Sequence, residues 1–387
     1  MSLTKLIGLP LRYKIWNPLH IKLIISDLIK PQQTEHDHHT HLSSTINWLC
    51  RAQDIRENMP DSGGVSAGWS FEDGWLPSYP ETSGYIVETF VAAADILNRP
   101  ELLDRANKII DWELSIQNQD GSFPGHFGEA SSKPVIFNTG QIMFGMICGY
   151  QQLNRDECLE AAVNAGKWLV TQQDEDGCWR RSTHNGIIHT YNTRATWALL
   201  QTGLLARQQT LIDAAIKNID WAISQQLESG WFENNAFTTG SEPFTHTIAY
   251  AVRGILECGL LLDNKKYIAA ASKAAKALAN AQRTDGSIAG TYDKDWQSNA
   301  YYVCLTGLAQ TSIIWSLLAK TQDNKDLQPH IDKALSYLKQ KQLINNLGTV
   351  DDGGIAGSFP IWGRYSMFEY PNWAAKFFAD ALLADIK

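Results

Sequence analysis

An aromatic residue followed five positions later by glutamine recurs along this chain, and that recurrence restricts its fold more than any other feature. The pairs are Trp48 and Gln53, Trp112 and Gln117, Trp168 and Gln173, and Trp221 and Gln226. Ala277 with Gln282 and Tyr337 with Gln342 continue the register, the former without its aromatic. The first members stand 64, 56, 53, 56 and 60 residues apart. Six units at so even a spacing mark a repeat architecture, in which each unit needs its neighbours to bury its apolar side. A chain of 387 residues would otherwise suggest two or three domains; the repeat overrides that count.

In four units the glutamine is followed by x-x-x-Gly-x-apolar, with Gly121, Gly177, Gly230 and Gly286 in the glycine place. A glycine just beyond an amphipathic run reads as a helix stop in the left-handed cap conformation. The preceding segments, 101–117, 156–173, 211–226 and 265–282, each carry one apolar stripe and read as outer helices. Between them, runs such as "TGQIMFGMICGY" from Thr139 and "TWALLQTGLLA" from Thr196 are apolar almost all round, which means burial on every side. Short turns ("NRPE", "NRDE") lead from inner to outer helix, and long links rich in Gly, Trp and Asn lead back. Six such hairpins closed in a ring make an all-α fold, an (α/α)6 toroid. The expected organisation is an N-terminal extension or strap over 1–41 and a single toroid domain over 42–387. Its last inner helix, near 372–386, closes against the first outer helix at 42–54.

The stretches "QNQDGSF", "QQDEDGCW" and "QQLESGWF" resemble the QW repeats of squalene-hopene and other terpenoid cyclases. The toroid is shared with protein prenyltransferases, polysaccharide lyases, unsaturated uronyl hydrolases and sugar epimerases. The resemblance covers nearly all of the chain after residue 42. It is specific for the fold and says little about the chemistry.

The inner helices repeat in the same register. Thr82, Thr139, Thr193, Thr247 and Thr306 stand near their starts, 57, 54, 54 and 59 residues apart. As first-turn residues the threonines have a capping role. The residues before them are Glu81, Asn138, Asn192, His246 and Leu305, and Asn372 takes that place in the sixth helix. Five of these six are polar, and they ring the mouth where the inner helices begin. The long loops open on the same face and bring Trp75, Tyr79, Trp362, Tyr365 and Tyr370, with Tyr85 one turn into the first inner helix. Flat aromatic faces cover the apolar side of a sugar ring, while amides and carboxylates hydrogen-bond its hydroxyls.

Glu81, His246, Tyr191 and His189 are the catalytic candidates, as groups able to move a proton. Asn138, Asn192, Arg194, Asn372, Arg364 and the aromatics are the substrate-binding candidates, with Arg suited to a uronate carboxylate. Lyases of this fold use His, Tyr, Asn and Arg groups, so the resemblance implies β-elimination; proton abstraction beside a carboxylate also underlies uronate C5 epimerisation. Hydrolysis needs two placed carboxylates, for which Asp73, Asp351, Asp352 and Glu369 accompany Glu81. The reading is a carbohydrate-active enzyme that works on an acidic poly- or oligosaccharide, at a uronate. Its rivals are a non-catalytic glycan-binding toroid and an isoprenoid cyclase-like enzyme. Against the cyclase, the nearest match to an Asp-x-Asp-Asp acid motif, at 349–352, lacks its first aspartate.

The run "EHDHHTH" before the first helix invites a metal reading, but ligands must converge from fixed positions, and a consecutive run reads as a solvated loop or strap. No metal or other cofactor is expected. A net charge of -8 without a basic stripe excludes a nucleic-acid partner. The six cysteines form no CxxC pair and read as core thiols of a reducing compartment. With no signal peptide or membrane span in view, a cytoplasmic location is expected. A weak peripheral membrane contact through the extension fits the apolar residues interspersed with lysine around 19–29.

Overall fold

The computed structural model describes residues 10–29, 36–127, 132–322, 325–345 and 347–386. Parts of the expected strap, 1–9 and 30–35, lie outside them. Among the described residues, a helix α1 (Pro18–Ile29) precedes twelve α-helices that alternate between two rings. The outer ring holds α2 (His38–Asp54), α4 (Glu101–Ile116), α6 (Asp156–Gln172), α8 (Gln209–Ser224), α10 (Lys265–Asn280) and α12 (Gln328–Lys341). The inner ring holds α3 (Pro80–Ile96), α5 (Ile136–Leu153), α7 (Thr193–Ala206), α9 (Thr245–Leu261), α11 (Leu305–Thr321) and α13 (Asn372–Ile386). Each inner helix packs on the next, α13 returns to α3, and α13 takes α2, from the other end of the chain, as its outer partner. The fold is an (α/α)6 toroid whose sixth hairpin joins the two ends of the chain.

The inner helices approach so closely that some contacts leave no room for a side chain. A Cβ on Gly84 would lie 2.5 Å from the Cα of Ile142, and one on Gly140 would lie 2.3 Å from the Cβ of Ala195. Apolar residues fill the rest of the inner ring, and Phe90, Phe144, Trp315 and Phe377 are fully buried.

The glutamines of the repeat are clamps between neighbouring outer helices. The Gln117 amide donates to its own loop at Gly121 O (2.9 Å) and to α6 at Ala161 O (2.9 Å). Gln173 does the same with Gly177 O and Ala214 O, Gln226 with Gly230 O and Ala270 O, and Gln282 with Gly286 O and His330 O. Gln53 bridges Gly63 O and Arg105 O. Gln342 closes the circle: it donates to Gly353 O (2.8 Å) and to Thr45 Oγ1 (2.7 Å) and pairs with His41 Nδ1 (2.6 Å), both in α2. Each such bond contributes about 1 kcal/mol, and each removes a carbonyl that burial would otherwise leave unpaired.

The glycines are not helix caps, as the sequence suggested. α4 ends at Ile116 with Gln117 extended (φ -62, ψ 130), and Gly121 follows in a turn closed by its N–H on Asn118 O. There it holds φ +89, and a Cβ would lie 2.4 Å from Asn164 O of the next outer helix, so both the turn and the approach demand glycine.

The His-rich run is likewise not a loop. Asp37 caps α2 by accepting from the Thr40 N–H at 2.7 Å, His38 meets Asp385 at 3.1 Å, and His41 is buried against Gln342. Among the described residues no three His, Cys, Asp or Glu side chains gather as a metal site would need.

Short strands sew the loops at the mouth. β1 (Gly68–Ser70) pairs antiparallel with β2 (Gly74–Trp75), and β3 (Val303–Cys304) with β4 (Ser358–Phe359). β5 (Glu369–Pro371) lies on the other side of β1, with Trp69 opposite Tyr370. α1 lies against this sheet: the His20 ring packs on Phe71 (4.2 Å) and Trp69 (5.6 Å), and Asp27 accepts from the Ile361 N–H at 2.8 Å. No helix among the described residues is long and apolar enough to cross a membrane. All six cysteines are free and buried.

Candidate active site

The inner-helix N-termini surround a cavity of about 300 Å³. First-turn residues of α3, α5, α9 and α13 line it, and the positive poles of these helices favour an anionic ligand. Of the residues singled out from sequence, Tyr79, Glu81, Tyr85, Asn138, Tyr191, His246, Arg364 and Tyr365 line it together.

Glu81 stands in the first turn of α3, where Pro80 starts the helix. Its carboxylate accepts from the Tyr79 hydroxyl at 2.8 Å. Burial raises its pKa to about 7, against the opposing pull of the Tyr79 hydrogen bond and the Arg194 charge. It is therefore close to half ionised at neutral pH, the condition in which one group both takes and gives protons.

His246 stands in the first turn of α9, and its Nδ1 lies 2.8 Å from the Gln310 carbonyl oxygen. An amide oxygen only accepts, so Nδ1 carries the proton and Nε2 keeps its lone pair. Burial lowers the pKa to about 3; the Gln310 bond opposes this and the Arg194 charge adds to it. His246 is neutral throughout the physiological range. Its ring rests on Tyr250 (4.3 Å) and Tyr365 (5.0 Å).

Asn138 presents a buried amide nitrogen with no hydrogen-bond partner among the described residues. A buried amide costs free energy until it is paired, so this one is a donor available to a ligand. Arg364 is exposed at the mouth, and among the described residues it has no ion-pair partner.

The other seven candidates do not line the cavity. His189 lies behind Tyr191, stacked on it at 4.4 Å, with Nε2 on His184 O at 2.7 Å. Burial lowers its pKa to about 4. Asn192 is buried at the start of α7. The Asn372 amide donates to Ser66 O and Thr82 Oγ1, both at 2.8 Å, and ties α13 to α3. Trp75 packs on Trp48 (5.4 Å), Tyr370 on Trp69 (6.5 Å), and Trp362 accepts through its carbonyl from the Tyr301 hydroxyl. Arg194 is 1% exposed inside the barrel, with Nε on Gln141 Oε1 at 2.8 Å and its guanidinium among five rings at 4.9–5.9 Å. A cation so enclosed acts on the cavity through its charge, not by contact.

His184, which the sequence places in a long loop at the mouth, lines the cavity too; sequence reasoning missed Phe137, Phe237, Phe244, Tyr250, Ser366 and Trp373. Tyr250 was findable, since it stands four residues after His246 on the same helix face. The rest come from long loops or from positions beside the register, where no periodicity marks them. A groove of about 740 Å³ adjoins the cavity, sharing Phe237, Phe244 and Arg364 with it and continuing past Glu242, Asn299 and Tyr301.

The pattern that describes the squalene-hopene cyclase C-terminal domain matches residues 77–256. The squalene–hopene cyclase of Zymomonas mobilis is 26% identical over 149 residues, which is 36% of this chain and 21% of that protein. The match thus spans about a fifth of the curated relative. Among solved structures, an unsaturated glucuronyl hydrolase specific for heparin aligns with a TM-score of 0.70 at 15% identity, over 90% of this chain and 97% of that one. Cellobiose 2-epimerase from Bacillus thermoamylovorans aligns with a TM-score of 0.69 at 13% identity, over 94% and 99%. The unsaturated glucuronyl hydrolase of Bacillus sp. GL1 aligns with a TM-score of 0.67 at 13% identity, over 88% and 96%. The chain shares the (α/α)6-toroid fold with these structures. At such identities the likeness to solved structures establishes the fold alone.

Proposed function

We propose that this protein is a carbohydrate-active enzyme that moves a proton at the carbon beside the carboxylate of a uronate, in an acidic oligosaccharide. The observation that carries the reading is one carboxyl of pKa about 7, Glu81, in an aromatic-walled cavity that also holds a neutral histidine. The cavity has room for one sugar ring, and the adjoining groove for the residues linked to it. Arg364 at the mouth pairs with the substrate carboxylate, a role the sequence had given to Arg194 as well. That pairing makes the neighbouring C–H more acidic, and ionised Glu81 takes the proton. The lone pair of His246 accepts from a sugar hydroxyl, and the Asn138 amide donates to one. Departure of the C4 oxygen, which takes a proton from the Tyr191 hydroxyl, then gives elimination; return of a proton from that hydroxyl to the opposite face of the carbon gives epimerisation. A conventional glycosidase pair is less favoured, because Glu81 is the one carboxyl among the described cavity-lining residues. The solved structures that share the fold, by their names hydrolases of unsaturated glucuronyl groups and an epimerase of cellobiose, support a sugar substrate.

The test is incubation with a panel of uronate oligosaccharides, followed by ultraviolet absorbance of an unsaturated product and by deuterium uptake from solvent. Elimination or epimerisation gives at least one of these signals with some glycan. New reducing ends with neither signal would replace the reading with hydrolysis. Silence in all three assays would leave the non-catalytic glycan-binding toroid.

One observation favours a second reading. Nine aromatic rings line the cavity around Glu81, and a protonated carboxyl among aromatic faces suits protonation of an alkene and cradling of the cation that follows. The region similar to squalene-hopene cyclases includes Glu81 and His246. Conversion of an isoprenoid by the wild type but not by Glu81→Gln would establish that reading instead.

A further inference from the structure

Seven of the fourteen large hydrophobic side chains exposed among the described residues lie within residues 11–29. This concentration sits on α1 and the turn before it. α1 buries a narrow stripe of His20, Leu23 and Asp27 against the sheet at the mouth. Its outward face carries Leu19, Ile21, Ile25, Leu28 and Ile29, the last two 61% and 70% exposed. Trp16, just before the helix, is 57% exposed. A soluble helix normally turns charged or polar residues outward, and here the outward face is apolar.

We propose that this face docks on the surface of an anionic lipid bilayer. The charges beside it select the partner. Arg12, Lys14 and Lys22 are all basic and exposed, whereas the one acid of the segment, Asp27, is buried on the Ile361 N–H. Arg12 is held by Glu72, Lys14 rests on the Glu72 carbonyl, and Lys22 has no ion-pair partner among the described residues. A basic apolar face on a chain of net charge -8 complements a negative lipid surface and not a second copy of the same chain, whose Lys22 would meet its own counterpart across a two-fold axis. Trp16 next to these cations suits the headgroup boundary, where an apolar ring with one polar edge is stable. At 12 residues α1 is about 18 Å long, enough to lie in the interface and too short to span it. The helix and the turn before it also touch the loop that serves the cavity: Ile361 bonds Asp27 and Phe368 packs on Tyr13, while Arg364 and Tyr365 between them line the cavity. Docking therefore reaches the cavity wall through a single loop.

The test is co-sedimentation with vesicles of phosphatidylcholine alone or with added phosphatidylglycerol, which needs no turnover and so stands apart from the proposed reaction. The wild type is expected to partition onto the phosphatidylglycerol vesicles and less onto phosphatidylcholine. Leu28→Glu with Ile29→Glu is expected to lower partition by about tenfold or more at unchanged Tm, since neither side chain enters the core. Lys22→Glu is expected to weaken binding only to the anionic vesicles. No wild-type binding to either vesicle would overturn the proposal, as would binding that the double variant leaves intact. A solution dimer that the double variant dissociates would assign the face to a second copy.

Discussion

Glu81 stands in the first turn of α3 and Asn372 opens α13, its neighbour in the ring; in sequence they hold the same place in the repeat. Asn372 follows β5, which is paired with β1, so its amide is turned into the wall and used on Ser66 O and Thr82 Oγ1. Glu81 follows Tyr79 and Pro80, is bound by no strand, and has the Tyr79 hydroxyl as its hydrogen-bond partner. A first-turn residue of an inner helix is thus fixed in depth by the toroid and in direction by the loop that leads into it. One place in the repeat yields a ring joint in one hairpin and a carboxyl facing the cavity in the next.

The comparison breaks most visibly at Glu81. Glu81→Gln keeps size and burial but cannot take a proton, so turnover should fall by about 10²–10⁴-fold while glycan binding, followed by calorimetry, stays within a few-fold. If Glu81 were a joint like Asn372, the variant would lose stability and keep its rate.

Asn372→Ala makes the converse case. It removes two buried hydrogen bonds and leaves Ser66 O and Thr82 Oγ1 short of a donor, at a cost of about 2–4 kcal/mol in denaturant unfolding. Turnover per folded molecule should change little. A variant as stable as the wild type but inactive would return Asn372 to the site.

These cases show what was legible beforehand. The glutamine clamp was readable as a ruler because it is periodic: the same two carbonyls, one from its own loop and one from the next outer helix, recur around the ring. The ring closure between α13 and α2 followed from that count. Residue type at the mouth was also legible, but side-chain direction was not. Arg194 looked like a carboxylate binder until α7 placed it beneath the cavity among aromatic rings. His189 was drawn into a stack on Tyr191, beside the local turn at 190–192. Gln310, which sets the His246 tautomer, left a faint trace as a polar residue within the apolar α11. The loop residues Phe237 and Phe244 left none, because a long loop has no period to read.

A carboxyl that is buried without a site sharpens the contrast. Glu113, on the outer helix α4, is fully buried, and neither oxygen has a hydrogen-bond partner among the described residues. Burial alone pushes its pKa far above the usual carboxylate range. It lies outside the cavity, so Glu113→Leu should leave turnover unchanged and gain about 1–3 kcal/mol at neutral pH, by removing an unsatisfied polar group. Loss of stability would mean that Glu113 has a partner that the fold hides.

The smallest effect is the dependence on pH. The folded pKa of Glu81, about 7, lies above its ordinary value of 4.5, so between those limits the native state holds a proton that the unfolded state has lost. Stability contributed by this group is therefore present below about 4.5, declines as pH rises to about 7, and is level above. Gln at 81 cannot ionise. The difference in Tm between Glu81→Gln and the wild type should be near zero at pH 4.5, grow through pH 7 and then level off, while other titrating groups cancel between the two proteins. In the wild type, kcat/KM should rise across the same interval if ionised Glu81 takes the proton. A fall instead would make the protonated carboxyl the reactive form and favour the alkene-protonating reading. A Tm difference independent of pH would show that Glu81 ionises like a surface carboxylate, as close to water as the repeat alone would have put it.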